Sequence, residues 1–168
     1  MPLRRTHPPQ AGEAGYGNPR HRRTVYVVFQ ESDARPWWRF WTSAGYRHVW
    51  AFAPVYYPEE GLLATRYAVK FEPLAWGIDW TQVWFEDPDA IAQAFYRAGV
   101  HAIIKTTVDF PPRGRPPFVR GLITCVSMMK TAMGITAPTI WTPKQLCVYM
   151  LRHGGELVER EGGDEQGC

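Results

Sequence analysis

The sequence predicts one domain that mixes strands with helices, and three observations carry that reading. Runs of β-branched and aromatic residues recur along the chain, the clearest being T-V-Y-V-V-F-Q at Thr24–Gln30. Helix starts are written as a capping residue followed by proline at Asp87-Pro88 and Thr142-Pro143. A length of 168 residues gives room for one sizeable core.

Residues 1–23 are rich in Pro, Gly, Arg and His and hold almost nothing apolar to bury, so they read as an extended basic arm. Thr24–Gln30 is a buried strand. Ser32 and Asp33 offer a cap for a short aromatic helix in which Trp37, Phe40 and Trp41 share a face. Gly45–Tyr57 reads as a second strand. By alternation His48, Trp50 and Phe52 lie on one of its faces and Val49 and Ala51 on the other. Further strands are expected at Thr65–Phe71, ending in Glu72-Pro73, and around Trp80–Phe85. Turns fall at Pro58–Gly61 and Trp76-Gly77.

The helix opened by Asp87-Pro88 carries Ile91, Phe95 and Ala98 as its apolar stripe, and Gly99 closes it. Val100–Val108 is a fifth strand. Pro111–Pro117 is a stiff, exposed loop. The helix after it has Thr124 as its cap, Val126, Met129 and Met133 on one face, and Gly134 just past its end. A last helix follows Thr142-Pro143, burying Leu146, Met150 and Leu151, with Cys147 in its interior as an inert packing residue. The core domain therefore spans 24–153, and 154–168 reads as an acidic, flexible tail.

Charge is unevenly spread within the formal net +3. The first 23 residues carry five arginines against Glu13, and residues 153–168 carry five carboxylates against Arg160. The body has no basic face, so nucleic acid is an unlikely partner. No apolar run approaches the ~18 residues of a membrane span, and the arginines of the arm precede no apolar stretch of the kind a secretory signal has. Three cysteines without a framework spacing suit a reducing compartment.

Cys125 falls in the first turn of its helix, where unpaired N–H groups and the helix dipole favour a thiolate. The functional reading makes it a nucleophile; the bland one makes it a small buried apolar residue. A nucleophile needs a base, an orienting group and oxyanion donors. Within the body the candidate bases are His48 and His101. Glu72, at the end of the neighbouring strand, is placed to hold the His48 imidazole. The Cys125 N–H is an oxyanion donor, and Gln30 is a side-chain candidate for a second.

G-Y-R-H-V at Gly45–Val49, followed far downstream by T-C-V-S-M-M-K at Thr124–Lys130, resembles the circularly permuted branch of the papain-like NlpC/P60 superfamily. There a Gly-x-x-His-Val strand precedes the cysteine helix. The aromatic opening from Phe29 to Trp38 and the closing T-P-K-Q-L at Thr142–Leu146 also resemble short proteins of tailed bacteriophages. The resemblance covers about residues 24–152. It implies an α+β fold in which an antiparallel sheet of about five strands packs on the Cys-bearing helix. It implies a Cys125–His48 dyad with Glu72 as third member, where the family more often has His, Asn, Gln or Asp. It needs no cofactor and no metal. The implied activity is that of a cysteine peptidase or amidase acting on peptidoglycan peptides or a phage protein, in the virion or the host cytoplasm. The alternative is an inactive virion component that uses the fold as an interaction module. Other virion proteins would then be its partners, met through residues 1–23.

Overall fold

The computed structural model describes residues 22–32, 42–57, 65–74, 77–84, 87–109 and 124–162. Six strands and three helices follow in chain order: β1 (Arg22–Gln30), β2 (His48–Tyr57), β3 (Thr65–Leu74), β4 (Gly77–Trp84), α1 (Pro88–Arg97), β5 (Ala102–Asp109), α2 (Cys125–Ala132), α3 (Pro143–Arg152) and β6 (Glu156–Leu157). The strands form one open sheet in the order β4-β3-β2-β1-β5-β6. Every neighbouring pair is antiparallel. The chain is therefore an α+β protein with three helices packed against a six-stranded antiparallel sheet.

Both faces of the sheet centre are covered, which explains why β1 reads as a continuous apolar run and not as an alternating one. On one face Val25, Val27, Phe29, Val49, Ala51 and Ile104 pack with Val126 and Met129 of α2 and with Leu146 and Met150 of α3. On the other, Tyr26, Val28, Trp50, Phe52 and Ile103 pack with Ile91, Ala92 and Tyr96 of α1. Tyr26 stacks on Phe52 with ring centroids 4.7 Å apart. Each fully buried aliphatic or aromatic side chain here contributes about 1.5–3 kcal/mol.

The helix starts match the sequence. Asp87 accepts from the Asp89 N–H with Pro88 in the first turn, and Thr124 and Thr142 each close a reciprocal capping box, with Ser127 and Gln145. The α1 stripe holds at Ile91 and at Phe95, which packs against Trp50 and Phe52, but Ala98 is exposed and the other buried positions are Ala92 and Tyr96. The Tyr96 hydroxyl explains the choice, accepting the Ile103 N–H at 3.0 Å and donating to the Val158 carbonyl at 2.7 Å.

Three expectations change. The second strand begins at His48, because Gly45 lies in a turn closed by the Tyr46 N–H on the Ser43 carbonyl at 3.0 Å. β3 continues through Glu72-Pro73 to Leu74, paired with β4 and not with β2 over that stretch. The acidic tail is structured through its first half: β6 pairs with Ile104 and Lys105, the Val158 N–H bonds the Ile103 carbonyl at 2.9 Å, and Gln93 bonds the Glu159 carbonyl at 2.7 Å. The cause is that β5 is buried at Ile103 and Ile104, so its outer backbone groups need partners. The sheet thereby gains a sixth strand. The basic arm up to residue 21, the aromatic helix after Ser32, the turns at 58–61 and 76, the Pro111–Pro117 loop and residues 163–168 lie outside the described residues; Arg22 and Arg23, assigned to the arm, begin β1.

Candidate functional site

The turn before β2 sets the direction of His48. Gly45 has φ +78, a left-handed backbone that favours glycine. A Cβ built there would lie 2.6 Å from the His101 ring, so the second candidate histidine is packed flat on the turn. His101 also meets Tyr46 edge to face, with centroids 4.6 Å apart. Glu31 accepts the Gly45 N–H at 2.8 Å through one oxygen and pairs with the Arg47 guanidinium through the other. The Gly-x-x-His motif is thus held by two side chains from outside it, His101 and Glu31.

His48 and Glu72 come together as expected: His48 Nε2 lies 3.0 Å from Glu72 Oε1, and both side chains are 15% exposed. The second carboxylate oxygen, Oε2, pairs with the Lys70 ammonium, which sits 4.9 Å from the centre of the Trp50 ring. The Trp50 indole donates to Gln30 Oε1 at 3.1 Å. Because indole is a donor only, the Gln30 oxygen faces it and the NH2 end is left as a donor. Burial pulls the His48 proton affinity below the ordinary imidazole value; Glu72 opposes that pull and Lys70 adds to it.

Cys125 approaches from the other side of the sheet. It packs with the core that holds Val49 and Ala51, whereas alternation puts His48 on the face of Trp50 and Phe52. The thiol lies where β2 and β3 part, beside the backbone of the residue that follows His48. Pairing between β2 and β3 stops at Ala51–Phe71. The Phe29 carbonyl faces β5, where it accepts the His101 N–H, so the paired Val49 turns its own N–H away from β1. That N–H points at the Cys125 sulfur, as do the Cys125 and Val126 N–H groups of the helix start. No hydrogen bond between the sulfur and the His48 ring is found among the described residues.

The thiolate expected from the helix N-terminus is not favoured. Burial pushes the Cys125 thiol up, and the three N–H groups only partly oppose it. Burial thus favours the uncharged form of each group, thiol at Cys125 and neutral imidazole at His48. Cys147 is fully buried in α3 and disulfide-bonded, against the expectation from cysteine count. Cys125 is free.

Lys130, part of the cysteine motif, has an architectural role. Its ammonium donates to the Ala137 and Ile140 carbonyls at 2.6 and 3.0 Å, tying α2 to the segment that leads into α3. Lys70 was missed at the sequence level, although it lies two residues before Glu72 and so shares its face. No group of three or more His, Cys, Asp or Glu placed to hold a metal occurs among the described residues, and no helix there is long and apolar enough to cross a membrane.

The fold is thus α+β, with a Glu72-held histidine on one face of the sheet and a helix-start cysteine packed into the other. No protein family, curated protein or solved structure matches the chain.

Proposed function

We propose that this chain is a papain-like cysteine hydrolase of the permuted type, with Cys125 as nucleophile, His48 as base and Glu72 as the residue that positions it. The observation that carries this reading is the occupancy of His48. Glu72 takes Nε2, so a neutral imidazole carries its proton there and leaves Nδ1 as the basic atom. Cys125 lies against the amide of the next residue, Val49. Nδ1 has to close on the sulfur when substrate binds, as catalytic hydrogen bonds commonly do.

The neutral pair defines the chemistry as general-base attack. Nδ1 takes the thiol proton as sulfur bonds to the carbonyl carbon. The Cys125 N–H at the helix start is the donor proposed for the oxyanion. The C–N bond breaks as His48 returns the proton to the leaving nitrogen, and water then hydrolyses the thioester by the same route in reverse. Peptidoglycan peptides or a phage protein are the proposed substrates, on the motif resemblance.

The test uses p-nitrophenyl acetate, whose good leaving group needs no specific pocket. Intact-mass analysis should show one acetyl group, mapped to Cys125, absent in Cys125→Ser and slowed ~10²-fold or more in His48→Gln. Acetylation elsewhere only, or at an equal rate in His48→Gln, rejects the reading.

A second reading, an interaction module without catalysis, is favoured by a different observation. Ile78, Trp80 and Trp84 of β4 are 44%, 63% and 68% exposed, more apolar surface than a strand with no partner needs.

A further inference from the structure

The two edges of the sheet are guarded very differently. β6 closes one edge with only two residues. Among the described strands β4 forms the other with eight residues, G-I-D-W-T-Q-V-W, a row about 27 Å long at strand rise. Soluble proteins blunt such edges with lysines, prolines, bulges or very short strands. β4 contains no lysine and no proline, and Asp79 is its single charge.

Alternation places Ile78, Trp80, Gln82 and Trp84 on one face of β4. Among the described residues the indoles meet these neighbours: Trp80 meets Phe71 edge-on at 5.0 Å and Trp84 meets Tyr67 at 5.9 Å. At their exposures they offer roughly 160 and 170 Å² of the ~250 Å² a tryptophan can bury. A patch of roughly 330 Å² is in the ~300–600 Å² range that is often functional.

We infer that β4 is the interface with a second copy of this chain, the two strands pairing antiparallel about a twofold axis through Gln82. The pattern Trp80-x-Gln82-x-Trp84 is symmetric about that residue. A twofold there sets each Trp80 opposite the second copy's Trp84, giving two cross-strand aromatic pairs. It also keeps the two Asp79 carboxylates from facing each other. An isologous contact of this kind closes on itself and builds a dimer, not a fibre. Two copies bring roughly 660 Å² of indole, and the paired backbones with Ile78 carry the total towards the ~1,000 Å² of a specific interface. The dimer is accordingly weak, with a dissociation constant on the order of tens of micromolar.

Sedimentation of the full chain over a concentration series tests this, with Gln82→Lys and Gln82→Glu as variants at an exposed position. Across the twofold each variant faces its own charge, so each alone should lose dimer by about tenfold or more, and an equimolar mixture should regain it. The mixture also shows that both variants are folded. A wild-type chain that stays monomeric at several hundred micromolar overturns the inference. So do dimers indifferent to either variant, which place the contact elsewhere, and a mixture that gains nothing over its components. None of these outcomes depends on whether Cys125 reacts.

Discussion

Gly45→Ala should destabilise the fold through two separable causes, and their sizes follow from the turn before His48. The first is backbone. At φ +78 an alanine pays about 1–2 kcal/mol that glycine does not. The second is steric. The new methyl would lie 2.6 Å from His101 Cγ and Nδ1 and 2.9 Å from Cδ2, well inside an ordinary carbon contact of ~3.5 Å. The ring must move, weakening its edge contact with Tyr46, and overpacking of this kind costs about 1–3 kcal/mol. Urea unfolding should therefore show a loss of roughly 2–5 kcal/mol for Gly45→Ala. In a His101→Ala background the steric part vanishes and only the backbone part stays. A double-mutant cycle then yields a coupling of about 1–3 kcal/mol between the two positions. An equal cost in both backgrounds would refute the packing of His101 on Gly45, and with it the explanation of the Gly-x-x-His spacing.

Lys130→Met keeps the aliphatic stem and removes two charge-assisted bonds to the Ala137 and Ile140 carbonyls; unfolding free energy should fall by about 2–4 kcal/mol, with no fall if the ammonium is merely solvated. Lys70→Met should raise the His48 pKa, since the ammonium holds it down, whereas Lys70→Arg should leave it near wild type; imidazole NMR titration reads both. The lowered His48 value also sets a pH dependence. As pH falls through the ordinary imidazole value of ~6.5, the unfolded chain takes a proton that folded His48 resists. Stability is thus lost below that pH, until the folded pKa is reached. Thermal melts from pH 8 to 5 should show a shallower acid decline in His48→Gln, and an unchanged slope would contradict the burial of a neutral imidazole.

Much of the fold was legible because local signals agreed with tertiary need. Asp87-Pro88, Thr124 and Thr142-Pro143 cap their helices as the residues suggest, and the alternation of Val49–Phe52 sorts correctly into two cores. β6 was illegible because its two residues exist to satisfy the edge of β5, a need visible only once β5 is seen to be buried. The pairing of His48 with Glu72 followed from strand adjacency. The state of Cys125 did not: sequence shows the helix start, which favours a thiolate, but not the burial that outweighs it. Nor could sequence place the thiol at the β2–β3 fork, because where two strands part depends on Glu72–Leu74 pairing with β4 alone.

The assignment of His48 Nδ1 to Cys125 is tested most directly by 15N NMR of the imidazole in wild type, Glu72→Gln and Cys125→Ser. A neutral ring with the proton on Nε2 is expected, held by Glu72. The Nδ1 resonance should move when p-nitrophenyl acetate acetylates Cys125 and stay unmoved by the same reagent in Cys125→Ser, with Nε2 in place throughout, and the preference for Nε2–H should weaken in Glu72→Gln. A ring that carries its proton on Nδ1, or an Nδ1 resonance indifferent to acetylation of Cys125, would contradict the pairing and leave His48 and Glu72 as a structural hydrogen-bonded pair.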